Sequence, residues 1–277
     1  MSDAQRARAQ FAAVVSVPDD TIDLAEAALL IAAEAYPDLD VSRYVGMLDG
    51  LAAEAAPSLR GCADDAERVR RLVEYLAVQR RFRGNENDYY DQRNSFLNDV
   101  LERRTGIPIT LALVYVEVAR RLDVAVVGVG FPGHFLAKHP GPSEVIIDPF
   151  RGQIVTEQEC AQRLSAMYGR TVPLEPEHLR AATAREILVR MLRNLKQIYL
   201  HTRDLAAALG CSERILVVQP DLAPELRDRG LLYAQLEWYP AARADLERFL
   251  VLAPDDPTVP VVRERLIELG SKGVTLH

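Results

Sequence analysis

The stretch RTGIPITLALVYVEVARRL (residues 104–122), followed by VAVVGVG (124–130), HFLAK (134–138) and EVIID (144–148), decides how the chain folds. Thr105-Gly106 makes a break, and Ile107-Pro108-Ile109-Thr110 opens a helix with Pro108 in its first turn, where a missing N–H costs nothing. That helix runs to Leu122 and is apolar nearly all round, through Leu111, Leu113, Val114, Tyr115, Val116 and Val118, the pattern of a helix buried inside a domain. The apolar period then changes from helical to alternating. Residues 124–130, 134–138 and 144–148 read as three strands, the last two joined by the turn-forming His139-Pro140-Gly141-Pro142. Three strands on one buried helix make an α+β core.

On the N-terminal side, three amphipathic helices are predicted: from a cap at Asp20 or Thr21 to Ala35, from near Ser42 to Pro57, and from Asp65 to Arg81. A polar loop, Gly84 to Asp91, carries Tyr89 and Tyr90. A short helix follows from Ser95 to Arg104, with Asn94 as its expected cap. On the C-terminal side, Thr156-Glu157-Gln158-Glu159 is a capping box for a helix ending before Gly169.

The last third repeats itself. A shift of 34 residues superposes Leu192 on Leu226, Tyr199 on Tyr233, Ala207-Ala208 on Ala241-Ala242, Glu213-Arg214 on Glu247-Arg248 and Pro220-Asp221 on Pro254-Asp255. This period, with Gly230, Tyr233, Ala242 and Pro254 in place, resembles the tetratricopeptide helix-turn-helix repeat. The first copy departs from it at Lys196, where a small residue is expected, and Ile215 and Phe249 replace the terminal alanine. Residues 261–269 are expected to cap the array.

The chain has 277 residues, 49% hydrophobic and 26% charged, with formal charge −7. This is the composition of a globular protein, and its acidity speaks against nucleic-acid and anionic-membrane partners. The most apolar stretch, Ile109 to Val116, is far short of a bilayer span. MSDAQRARAQ has no apolar signal-peptide core, so a cytoplasmic location is expected. Cys62, Cys160 and Cys211 are scattered, which argues against a disulfide framework or zinc cluster and reads as three reduced thiols.

The order of helix start, His134 opening one strand and Asp148 ending the next is that of enzymes with a nucleophilic Cys at a buried helix N-terminus, a His base and an orienting Asp. The blocks Arg104-x-Gly106-Ile107-Pro108-Ile109-Thr110, Gly133-His134-Phe135 and Ile147-Asp148-Pro149-Phe150 resemble the signatures of the SirB-type family. Tyr89-Tyr90-Asp91 and Asn94-Ser95-Phe96-Leu97-Asn98 resemble that family's preceding stretch. The resemblance covers residues 18–260 and implies a bacterial protein with a transglutaminase-like core and a tetratricopeptide tail.

The superfamily's Gly-x-Cys aligns with Gly106-Ile107-Pro108, so Pro108 stands where the thiol would be. Thr110 is two residues too deep in the helix to replace it, and Cys62 could approach only in space. Three uses of His134 and Asp148 remain open. They hold strand ends together, or they line a binding cleft with Asn94, Arg104, Tyr89 and Tyr90, or they serve hydrolysis, with His134 as base or with His139 as a further metal ligand. His178, His201 and His277 read as surface or packing residues.

The expected architecture is mainly α with an α+β core: a helical N-terminal lobe (1–82), a transglutaminase-like core (83–175) and tetratricopeptide-like repeats (176–277). The expected function is that of a non-catalytic protein-interaction or regulatory protein, a transglutaminase-like pseudoenzyme with no cofactor or metal and a protein or peptide partner held by the repeats. The rival is a hydrolase or acyl transferase acting on amide bonds through His134 and Asp148.

Overall fold

The N-terminal region is built of helices opened mostly by aspartate. In the computed structural model, which describes residues 3–141 and 143–272, α1 (Asp3–Val14) precedes α2 (Leu24–Ala33), α3 (Val41–Ala55) and α4 (Asp65–Val73). The side chains of Asp23, Asp40 and Asp64 accept the amide hydrogens of Glu26, Arg43 and Glu67, satisfying donors that each helix start leaves orphaned. The cap of α2 is therefore Asp23, because Asp19–Thr21 forms a 3-10 turn of its own. Beyond α4 the chain widens into a π-helical turn, Glu74–Gln79. Pro142 and His277 lie outside the described residues.

Next, β1 (Arg83–Gly84) pairs in parallel with β2 (Thr105–Gly106) on either side of α5 (Leu97–Arg103). Asn94 is not the cap of α5, whose cap position is Phe96, with no side-chain bond to the helix start; Asn94 belongs to a 3-10 turn, Gln92–Ser95. The central helix, α6 (Pro108–Arg121), has Pro108 at its start, and Leu111, Val114 and Tyr115 are wholly enclosed. An antiparallel meander follows: β3 (Val127–Val129), β4 (Leu136–His139), β5 (Val145–Asp148) and β6 (Gln153–Val155). The sheet has one strand more than the alternation predicts, and its first strand is shorter. Behind it, α7 (Glu157–Tyr168) carries both halves of the Thr156/Glu159 capping box and ends at Gly169, whose φ of +63° favours glycine. Val129, Leu136, Ile146 and Val155 pack with Cys160 and Leu164 of α7 in one apolar cluster.

The last five helices are α8 (Ala184–His201), α9 (Leu205–Val218), α10 (Ala223–Gln235), α11 (Tyr239–Leu252) and α12 (Val259–Lys272). The chain divides into two compact units, Met1–Met191 and Leu192–His277. Within the second unit, Gly230 lets α10 and α11 approach so closely that a Cβ there would lie 2.8 Å from Leu246. One repeat earlier the same two positions hold Lys196 and Ser212, so the large and small partners are exchanged. The buried lysine is compensated: its Nζ donates to Glu225 Oε1 at 2.6 Å and to Asp228 Oδ2 at 3.0 Å, and the Ser212 hydroxyl donates to Glu225 at 2.6 Å.

Removing one member of a buried pair strands the other charge. Lys196→Ala is expected to cost about 3 kcal/mol, and Lys196→Ala/Glu225→Ala to recover part of it. Urea unfolding followed by the single tryptophan, Trp238, measures both, since its ring stacks on Tyr233 in the same unit.

Candidate functional site

Asp148 is the last residue of β5, paired with Gln153 of β6, and its side chain is fully enclosed. His134 lies just ahead of β4, in a turn closed by its own N–H donating to the Phe131 carbonyl, with Gly133 at φ +67°. The two side chains meet: His134 Nε2 is 3.0 Å from Asp148 Oδ1. The same oxygen accepts the backbone N–H groups of Phe150 and Arg151 at 3.1 and 3.3 Å. Arg163 of α7 places Nη1 2.7 Å from Oδ2, an ion pair off the line of a hydrogen bond. Burial by itself pushes the Asp148 carboxyl up, but the hydrogen bond and charge of His134, with the charge of Arg163, outweigh it and hold the group below its ordinary value. Asp148 is thus an anion with every charge partner in place. The anionic acceptor puts an N–H at Nε2 and leaves Nδ1 directed elsewhere. Tyr115 of α6 is near enough for the Asp148 charge to add to the burial that raises its phenol.

Phe150 joins this pair to the polar loop. Its ring stands edge-on to His134, with centroids 6.2 Å apart, and 6.1 Å from Tyr89, which in turn meets Tyr90 at 5.5 Å. Gly84 donates its N–H to the Phe150 carbonyl, and a Cβ on Gly84 would lie 2.4 Å from the Phe150 ring. Beside His134 opens a cleft of 340 Å³ lined by Glu86, Phe131, Pro132, Gly133, His134, Phe150, Arg151, Arg163 and Met167.

Of the residues singled out in the sequence, His134 and Asp148 come together, and Tyr89 and Tyr90 reach them through Phe150. Of the six residues expected to line the cleft, His134 alone is in its lining; Asp148, Tyr89, Tyr90, Asn94 and Arg104 are not. Asn94 is fully buried: its Nδ2 donates to the carbonyls of Asp88 and Tyr89, its Oδ1 accepts from Asn85, and its own carbonyl accepts from Ile107 and Thr110. It fastens the tyrosine loop to the start of α6. Arg104 is exposed at the end of α5, in the left-handed region at φ 56°.

Pro108 is buried at the start of α6. Thr110 folds back, its hydroxyl donating to the Asn94 carbonyl and accepting the Ile107 N–H. Cys62 is not among the lining residues, and Cys160 is buried on α7, where burial pushes its thiol up. His139 is turned away to the Ala125 carbonyl at 2.8 Å. Among the described residues, no group of three or more His, Cys, Asp or Glu side chains is arranged to hold a metal. His178 accepts the Glu175 N–H and caps a 3-10 turn, and His201 is exposed at the end of α8.

Arg151, Arg163, Glu86 and Met167 were not read from the sequence. Arg163 had a signal: it follows Cys160 by one helical turn, on the flank of the face that Cys160 and Leu164 bury. Glu86 sits in an exposed loop whose placement depends on Phe150, 64 residues on.

A buried helix opening at Gly106-Ile107-Pro108, an antiparallel sheet behind it, and His134 bonded to Asp148 across neighbouring strands define a transglutaminase-like core. The comparisons agree. The profile of the transglutaminase-like superfamily matches residues 42–193, and that of the tetratricopeptide repeat matches residues 195–267. A UPF0162 protein of Xylella fastidiosa (strain 9a5c) is 39% identical over 273 residues, covering 95% of this chain and 96% of the relative. A UPF0162 protein of Pseudomonas aeruginosa is 37% identical, covering 89% and 91%. Protein SirB1 of Salmonella typhimurium is 32% identical over 184 residues, covering 66% of this chain and 68% of SirB1. The chain belongs to the SirB-type family of transglutaminase-like proteins with a tetratricopeptide tail. Among the described residues no helix is long and apolar enough to cross a membrane.

Because the Asp148 carboxyl is held below its unfolded value, its stabilising effect is complete above the ordinary carboxylate range and fades as pH falls through the lower folded value. Asp148→Asn is expected to lower stability at neutral pH by about 3 kcal/mol, and to flatten the loss below about pH 4. Thermal unfolding of both proteins across acidic pH checks this.

Proposed function

We propose that this protein is a non-catalytic protein-interaction or regulatory protein of the cytoplasm: a transglutaminase-like pseudoenzyme whose tetratricopeptide tail holds a protein or peptide partner. The observation that carries this reading is that no residue lining the cleft beside His134 has a thiol or hydroxyl; the expected place of Pro108 at the superfamily's thiol position agrees with it. A base and its orienting carboxylate without an attacking group cannot form a covalent acyl intermediate. Thr110 does not fill the gap, since its hydroxyl is spent on the Asn94 carbonyl.

The tail supports the second half of the proposal. Val217, Trp238, Val251, Val261 and Ile267 are exposed apolar residues of the Leu192–His277 unit, and solvent-facing apolar side chains on stacked helical pairs suit a partner surface. The hydrolase or acyl-transferase reading keeps one observation in its favour, the intact 3.0 Å contact between His134 and Asp148.

Two measurements test the proposal. Wild type and His134→Ala are expected to release ammonia from glutamine peptides, and to cleave activated esters, at the same background rate; turnover by wild type that His134→Ala abolishes would contradict it. In affinity capture from lysate, His134→Ala is expected to retain the wild-type partners. Val251→Glu/Ile267→Glu, at two exposed positions where a polar change leaves folding nearly untouched, is expected to lose most of them.

A further inference from the structure

We infer, resting on the non-catalytic reading of the same cleft, that the space beside His134 is a recognition site for the carboxylate of a small apolar acid about the size of one amino-acid residue. Two guanidinium groups face this space with donors to spare. Arg163 commits Nη1 to Asp148, and its Nε and Nη2 make no hydrogen bond among the described residues. The Arg151 guanidinium makes neither a hydrogen bond nor an ion pair there, its backbone N–H alone going to Asp148.

The buried Asp148 holds Arg163 in place at 24% side-chain exposure, so its remaining donors are ordered before anything binds. A planar fork of this kind matches a carboxylate with two parallel hydrogen bonds, and prior ordering removes much of the entropic cost of binding. The Asp148 charge is already matched inside the protein and does not compete. Glu86 is the acidic residue of the lining; it stands on an exposed loop and pairs with neither arginine.

The other walls are apolar: Phe131, Pro132, Phe150 and Met167, the last 47% exposed and resting its sulfur against Gly133. An unbranched thioether adapts to an apolar body of varied shape. A cleft of 340 Å³ stands at the small end of ligand sites, large enough for one apolar side chain with its carboxylate. Unfilled arginine donors beside the partly exposed apolar surface of Pro132, Phe150 and Met167 call for an amphipathic anion and offer inorganic phosphate only half of its contacts.

The test uses the full-length chain with isotope-labelled methionine methyl groups, titrated with N-acetyl-L-phenylalanine and with N-acetyl-L-phenylalaninamide. The acid is expected to move the Met167 methyl signal saturably and to bind roughly tenfold more tightly than the amide. Arg151→Gln, at an exposed position, is expected to weaken the acid roughly tenfold without changing the thermal midpoint, which separates recognition from folding. A phenylalanine-terminated peptide, with its carboxyl end free or amidated, tells a chain end from a free acid; preference for either free carboxylate supports the site. Equal binding of acid and amide, binding of inorganic phosphate as tight as that of the acid, an unmoved Met167 signal, or indifference to Arg151→Gln would overturn it. Release of ammonia from the amide would contradict the non-catalytic reading alone, so the two failures are distinguishable.

Discussion

A carboxylate with no solvent exposure, Asp148, sets the terms for the first unit. A buried anion is tolerated only when charge and hydrogen bonds surround it, and here four groups from three parts of the chain are drawn in: His134 ahead of β4, Arg163 of α7, and the amides of Phe150 and Arg151 just past β5. Those two amides fix the chain direction after β5 and deliver the Phe150 ring onto Gly84. Phe150 then carries Tyr89, and Asn94 ties the tyrosine loop to the start of α6. The loop, the sheet and the helix that opens at Pro108 are thereby held as one arrangement around a single negative charge.

The features legible in the sequence are those that local chemistry decides. The capping box at Thr156, the proline at the start of α6, the strands near 136–139 and 145–148 and the 34-residue period all follow from residue types at short or fixed spacing. What local chemistry leaves open was misplaced or missed. Asp20 and Thr21 are the expected caps of α2, but Asp23 takes that place because Asp19–Thr21 turns separately. The strand β6 has only three residues, two of them exposed, and takes its place from pairing with β5.

The site divides in the same way. His134 and Asp148 could be named because each sits in a short block of distinctive neighbours. Arg151 and Arg163 are less legible: Arg163 is marked only by its place one helical turn past Cys160, and residue type and spacing do not show that it faces the buried charge of Asp148. Asn94, by contrast, was visible as a polar residue in a distinctive block, but its hydrogen bonds are all spent inside the fold, so the block is structural at that position. The second unit shows how a repeat tolerates departure from its pattern: Lys196 replaces a small residue, Ser212 opposite it is small in turn, and Glu225 takes up the charge.

The proposed non-catalytic reading takes the bonded pair of His134 and Asp148 as a base and its orienting carboxylate, and Pro108 as standing in the place of the sulfur. The most direct measurement is the titration of the thiol introduced by Pro108→Cys, followed by ultraviolet thiolate absorbance and corrected with the wild type for Cys62, Cys160 and Cys211. On the proposed alignment, which puts the added thiol at a helix start and within reach of the His134 imidazole, the group is predicted to titrate well below the ordinary value of about 8.5, and to return toward it when His134→Gln is combined with it. An added thiol that titrates at or above the ordinary value, unmoved by His134→Gln, would contradict the placement of Pro108 at the nucleophile's position.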